Sequence, residues 1–351
     1  MNVAGVSKTF LERLDGEARD LLLAVARPVS HKKGERLVRH GDPSRGAYVL
    51  KDGTAEATVR LPGGETLSVA KFGAGAVFGE MALVEHGTCT ATVTATGDLT
   101  GWFIERDDFR SLVAQRMPEA LRVQHALTLA LSEKLRQLNL KVLDVAADGD
   151  KPARKPGFGD PLAAAARQRT ASFDFKPFLP HLAIFEGFDA AEIDEILAVS
   201  SILELPRGQK VFTAGLPSTA CFIVVRGAIK IRAQHAERER RMAILGPGQL
   251  LGYMSALEKS VHGSDAVVRE DALLLEIPAE QFEALYVGNS PAATKLHRVI
   301  QKSLLISLGQ TNRHLTRLIS QAKLRGAAKE TVELEKAYSG QITAAALSAA
   351  L

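Results

Sequence analysis

Cysteine is nearly absent from this chain: only Cys89 and Cys221 occur among 351 residues. Two cysteines so far apart exclude a disulfide scaffold and offer no paired metal-ligand spacing. A strong charge imbalance is lacking too. Forty-four basic residues against 40 acidic ones leave a net charge of +4. Without a basic stripe, so small an excess does not predict nucleic-acid binding. Long apolar runs are also missing near the N-terminus. The longest there, residues 21–26, falls far short of the roughly 20 residues that a spanning helix needs. The N-terminal stretch has no basic start, long apolar core or small-residue cleavage site, so it does not read as a signal peptide. The expectation is a soluble, cytoplasmic protein without a membrane partner.

What is present is ordinary in bulk and unusual in one respect. The apolar share of 46% and charged share of 24% are near globular averages, which disfavours disordered and fibrous classes. The length implies two domains. The unusual item is 29 glycines, and their placement reveals a repeat. Gly34 and Gly208, Gly41 and Gly215, and Gly53 and Gly227 each lie 174 residues apart. Gly73/Gly246, Gly75/Gly248 and Gly79/Gly252 are each offset by 173. The apolar pattern between them matches, AYVLKDGTAEATV (47–59) against CFIVVRGAIKIRA (221–233), and Phe109 answers Phe282. A domain-sized period indicates two copies of a whole fold rather than a solenoid of small units.

Each copy begins helically and turns strand-like. Phe10, Leu14 and residues 21–23 give one opening helix, and Ile193, Ile196 and Leu197 give its counterpart. After Gly34 and Gly208 come short β-prone runs broken by Gly-, Pro- and Asp-containing turns. Such spacing predicts an antiparallel sandwich or jelly roll, with glycines supplying positive φ at its corners. Helices close each copy. Pro118 opens one carrying Leu121, Leu127, Leu131, Leu135 and Leu138, and Pro291 opens another carrying Leu296, Ile300, Leu304, Leu308, Leu315 and Ile319. The expected fold class is mixed α and β, with two tandem jelly rolls flanked by helices. Its expected parts are domain 1 over residues 1–145, a linker over 146–175, domain 2 over 176–322 and a tail over 323–351.

The stretch FGEMALVEHGTCTATVTA (78–95) resembles the phosphate-binding cassette of the cyclic nucleotide-binding domain family. That family includes bacterial catabolite activators, regulatory subunits of cyclic-nucleotide-dependent kinases and channel ligand domains. The resemblance covers about residues 8–145 and 176–320, strongly in the first copy and moderately in the second. It implies a cyclic nucleotide such as cyclic AMP or cyclic GMP as ligand, and no other cofactor. A cyclic phosphodiester carries one negative charge and two acceptor oxygens. In the family's arrangement, a short helix after Gly79 turns free N–H groups toward the phosphate. Phe78, Met81 and Ala82 belong to the same motif. The resemblance also implies that Glu80 accepts from a ribose 2′-hydroxyl, and that an arginine supplies a fork of donors.

Both copies depart from that pattern. The arginine position falls on Cys89, followed by Thr90, the small polar residue that also touches phosphate in the family. A hydrogen bond to a charged group is worth about 1.5–3 kcal/mol, so losing the arginine predicts binding weaker by about 10–100-fold. A thiol is only a weak donor. LGYMSALEKSVHGSDAVVRE (251–270) keeps Gly252 and Met254, but Tyr253 stands where the carboxylate belongs. Its arginine position falls near Ser264, or on His262 if the spacer carries no insertion. The second copy is therefore expected to be degenerate.

Other features point to bland roles. Arg238, Arg240 and Arg241 alternate with glutamates at an expected hairpin tip. Arg167 and Arg169 before Thr170 and Ser172 resemble a kinase target in a linker, but such short matches arise often by chance and a plain solvated linker is the favoured reading. None of the nine histidines has the paired spacing of a cupin-type metal site. No nucleophile elbow or Walker loop occurs, so no enzyme is expected. Too few residues follow Gln321 for a winged helix-turn-helix, so no DNA partner is expected. The helices over 118–143 and 291–319 suit either a homodimer or packing on their own sandwiches. The sequence thus reads as a non-enzymatic signalling protein, with copy 1 the candidate sensor and an unidentified protein partner. The alternative is a ligand-free scaffold with two vestigial pockets.

Overall fold

The structure of the chain is a computed structural model that describes residues 9–60, 64, 66–146, 175–235 and 238–324. Arg167, Arg169, Thr170 and Ser172, with most of the expected linker and tail, lie outside the described residues. The described residues divide into two compact units. One comprises residues up to 145 with those from 304 onward; the other comprises residues between 146 and 303.

In the first unit, helix α1 (Gly16–Ala24) begins where Asp15 accepts a hydrogen bond from Ala18 N at 2.8 Å. A carboxylate there satisfies one of the donors a helix start leaves free. Eight strands follow: β1 (Arg27–His31), β2 (Arg36–Val38), β3 (Gly46–Asp52), β4 (Ala55–Arg60), β5 (Thr66–Phe72), β6 (Val77–Phe78), β7 (Thr92–Ala95) and β8 (Leu99–Glu105). Between β6 and β7 lies the short helix α2 (Met81–Val84), and α3 (Arg106–Ala114) and α4 (Pro118–Ala146) close the unit. Strands β1-β8-β3-β6 make one sheet and β2-β7-β4-β5 the other, and every pair within them is antiparallel. Alternation along β4 buries Ala55 and Ala57 against Leu50, Phe78, Val93, Ala95 and Leu99.

The second unit repeats the plan with longer strands. Helix α5 (Ala190–Ala198) starts at Asp189, 174 residues after Asp15, and Glu192 completes a reciprocal capping box. Then come β9 (Ser201–Leu205), β10 (Lys210–Phe212), β11 (Ala220–His235), β12 (Arg238–Leu245), β13 (Leu250–Leu251), helix α6 (Tyr253–Leu257), β14 (Asp265–Pro278) and α7 (Ala279–Val287). Strand β11 runs unbroken where the first copy has β3 and β4, and β14 does so for β7 and β8. All six strands therefore join one antiparallel sheet, bent by bulges around Gly227. Gly227 sits at φ +86°, and a Cβ there would lie 2.4 Å from Asp271 O; its counterpart Gly53 has the same conformation, with 2.3 Å to Asp98 O. Arg238, Arg240 and Arg241 lie at the start of β12, where Arg238 pairs with His235 at the tip of the β11–β12 hairpin.

Helix α8 (Pro291–Leu324) ends the described chain. Leu127, Leu131, Leu135 and Leu138 of α4, with Leu296, Ile300, Leu304, Leu308, Leu315 and Ile319 of α8, are buried within the single chain. The mixed α and β class with two jelly-roll-type copies is thus the one the sequence implies.

Candidate functional site

The site of the first copy starts at the end of β6. Phe78 pairs with Tyr48 across β3 and stacks on its ring, centroids 5.1 Å apart. Gly79 then turns the chain at φ +76°, and its α-carbon passes so close that a Cβ would meet Gly46 O at 2.8 Å. Any larger residue would push the cassette off the sheet. That turn buries the next side chain. Glu80 is only 2% exposed, and its Oε1 accepts from Lys134 Nζ of α4 at 2.6 Å. Its Oε2 is buried with no hydrogen-bond partner. An unsatisfied buried acceptor is costly, so a donor that reached this oxygen would relieve that cost.

Met81 is half-buried and Ala82 is buried in α2. Ala82 O accepts from Arg106 Nε of α3, and the same guanidinium donates to Ser44 O, to Ser44 Oγ and to His86 Nδ1. Arg110 faces the other ring nitrogen of His86 at 3.1 Å and donates to Val84 O. One side chain, Arg106, therefore joins both walls of the cassette, residues 82–86 and the segment at Ser44. Beyond it, Cys89 N donates to Asp42 O and Cys89 O accepts from Gly41 N. Cys89 is half-buried and Thr90 exposed. Burial raises the Cys89 pKa, and the nearby Asp42 charge adds to the shift, which keeps it a thiol at neutral pH.

The second copy places different chemistry on the same backbone. Gly252 repeats the turn at φ +78°, with a Cβ 2.9 Å from Ala220 O. Tyr253 follows where Glu80 stood and is 7% exposed; burial raises its pKa, with Cys221 adding to the shift. Met254 is half-buried behind it. Gly215 N donates to His262 O as Gly41 N does to Cys89 O. Of the two positions the sequence left open, His262 therefore matches Cys89, and Ser264 stands two residues on, just before β14. His262 is 4% exposed and lies flat on Phe212, whose ring edge would be 3.6 Å from a Cβ on Gly252. Burial lowers the His262 pKa, so the ring is neutral. In the first copy the residue 174 positions before Phe212 is Val38. Phenylalanine, histidine and tyrosine thus take in the second copy the positions that valine, cysteine and glutamate hold in the first.

Against protein-family profiles, residues 28–116 and 202–289 both match the cyclic nucleotide-binding domain. The chain belongs to the cyclic nucleotide-binding domain family. Among curated relatives, the "Cyclic AMP receptor protein" of Thermus thermophilus is 30% identical over 131 residues, which are 36% of this chain and 61% of that protein. The alignment therefore spans less than two thirds of that relative. The "CRP-like cAMP-activated global transcriptional regulator" of Mycobacterium tuberculosis is 26% identical over 164 residues, 46% of this chain and 71% of that one. Among solved structures, the regulatory domain of Toxoplasma gondii PKA with cAMP is 17% identical, with a TM-score of 0.30, over 79% of this chain and 88% of that one.

Within the family's fold, the cassette residues named from sequence fall in two groups. Phe78, Gly79, Glu80, Met81 and Ala82 form one continuous turn and helix start, and Gly252, Tyr253 and Met254 repeat it. Cys89 and Thr90 stand on the opposite wall and are tied to it through Asp42, Ser44 and Arg106. Sequence reasoning missed Lys134 and Arg106. A signal for Lys134 existed: it follows Leu131 by three and precedes Leu138 by four, which puts a charge on the apolar face of its helix. Among the described residues no group of three or more His, Cys, Asp or Glu side chains is arranged to hold a metal ion. Likewise, no helix among them is long and apolar enough to cross a membrane.

Proposed function

We propose that this cyclic nucleotide-binding-domain protein is a non-enzymatic regulator whose first copy senses a small ligand while its second copy is closed. One observation carries the reading: Glu80 Oε2 is buried without a partner in the first copy, whereas in the second Tyr253 is buried at the same position and His262 stacks on Phe212. A ligand hydroxyl on Oε2 would relieve an unpaired acceptor. At the positions of Glu80 and Cys89 the second copy has Tyr253 and His262, neither a carboxylate nor an arginine.

The ligand this supports is a cyclic nucleotide, cyclic AMP or cyclic GMP, held without the usual arginine. Because α4 touches Glu80 through Lys134, a ligand that prefers one position of α4 would shift that helix and pass the signal to a protein partner. Such a shift is limited to the ligand's differential affinity for the two positions. One observation favours a second reading, a ligand-free scaffold: Cys89 is a protonated thiol where the family places a guanidinium.

Calorimetric titration of the full chain with cyclic AMP, cyclic GMP and cyclic dinucleotides separates the two. The sensor reading expects binding that Glu80→Ala abolishes and that Cys89→Arg strengthens by about 10–100-fold. Silence of the wild type toward every nucleotide, with none restored by Cys89→Arg, establishes the scaffold.

A further inference from the structure

We propose that Lys134 is the cationic ligand contact of the first copy, serving the anion that the missing arginine would otherwise hold. The inference rests on the sensor reading above and assigns it a ligand chemistry: a ring bearing a free hydroxyl and a singly charged phosphodiester. The hydroxyl falls to Glu80 and the negative charge to Lys134.

The geometry allows both contacts at once. Lys134 uses one donor on Glu80 Oε1, and an ammonium has three. Oε2, the second oxygen of the same carboxylate, has no partner. A hydroxyl admitted to the enclosed Oε2 would therefore bind Glu80 without displacing Lys134, which keeps two donors for an anion beside that hydroxyl. Exposure points the same way. The Glu80 side chain is 3% exposed and that of Lys134 is 43% exposed, so the ammonium reaches the buried carboxylate from its solvent side. No guanidinium competes for the role at position 89, because Cys89 is uncharged there.

The repeat supplies an internal control. The residue 173 positions after Glu80 is Tyr253, and the residue 173 after Lys134 is Ser307. The copy that lacks the carboxylate lacks the lysine as well. A lysine kept only to pad helix α4 would have no reason to follow the carboxylate. A buried ion pair kept only for stability is also replaceable by apolar residues at little or no cost.

The test is calorimetry of the full chain with cyclic AMP, at low and high salt, on wild type, Lys134→Gln and Lys134→Arg. Glutamine retains a donor for Glu80, so the carboxylate is not left bare, and the melting temperature of each variant checks folding. The proposal expects Lys134→Gln to weaken cyclic AMP by about 10-fold or more and to flatten the salt dependence seen in wild type. Lys134→Arg should bind within a few-fold of wild type. Lys134→Gln binding as tightly as wild type, with the same salt dependence, overturns the assignment and leaves the sensor reading standing. Wild type silent toward cyclic AMP and, in the same titration, toward cyclic GMP and cyclic dinucleotides overturns both.

Discussion

Phe212 and His262 lie face to face in the second copy, their ring centroids 3.9 Å apart and their planes inclined by 8°. The stack covers the cassette glycine, Gly252, and stands where the first copy has Val38 and Cys89. The same contact that fills this cassette makes it sensitive to acid. His262 is 4% exposed, so its charged form is disfavoured in the folded state and its pKa lies below the ordinary 6.5. The unfolded chain then binds the proton more readily. The stability His262 contributes is complete above about pH 6.5 and is lost as pH falls through the lowered folded value. Thermal melts of wild type and His262→Phe across that range are expected to diverge, the wild type falling more steeply. Parallel curves would show that the imidazole does not need to stay neutral.

Val38 stands at the position of Phe212, and on the proposed reading its smaller side chain leaves the first cassette open. Replacing it with phenylalanine reproduces the ring of the second copy beside Gly79. The expected result is a folded protein, destabilised by about 1–3 kcal/mol from overpacking, that no longer binds ligand although Glu80 and Lys134 are intact. Calorimetry with the ligand of the wild type, alongside urea unfolding, checks both halves of the statement.

Arg106 is the brace. It is 7% exposed and bonded to Ala82 O, Ser44 and His86, whereas 173 residues on the second copy has Ala279 and leaves Ser218 Oγ buried without a partner. Arg106→Ala strips donors from several groups at once and is expected to cost about 3 kcal/mol. Ser44→Ala, which removes one acceptor of Arg106 and an exposed donor to Gly87 O, should cost less, about 1 kcal/mol. Denaturant titrations of the two variants give the comparison.

How much of this the residues announced depends on how local each feature is. The duplication was readable because positive φ admits little but glycine: Gly34/Gly208, Gly41/Gly215, Gly53/Gly227, Gly75/Gly248 and Gly79/Gly252 all adopt it, while Gly73/Gly246 do not. The helix starts at Pro118 and Pro291 are equally local, whereas the opening helix read from Phe10 onward begins only after the Asp15 cap; the resemblance at 78–95 points to Glu80 and Cys89 directly. The choice between Ser264 and His262 was open because a spacer can absorb an insertion; the hydrogen bond from Gly215 N to His262 O decides it. Lys134 could be flagged as a charge on the apolar face of its helix, but its pairing with Glu80 was out of reach, since 54 residues separate the two and only the packing of α4 brings them together. The exchange of partners between copies was similarly hidden. His86 sits beside Arg110 in the first, while Lys259 pairs with Glu283 at 2.8 Å in the second. The two pairs lie at corresponding positions with the charge of the helix partner reversed.

The claim that one cassette is open and the other filled is tested most directly by counting ligands. Native mass spectrometry of the full chain with excess cyclic AMP is expected to find one nucleotide per chain. The count should fall to zero in Glu80→Ala and stay at one in His262→Phe. Two nucleotides per chain, or one that survives Glu80→Ala, would contradict the account.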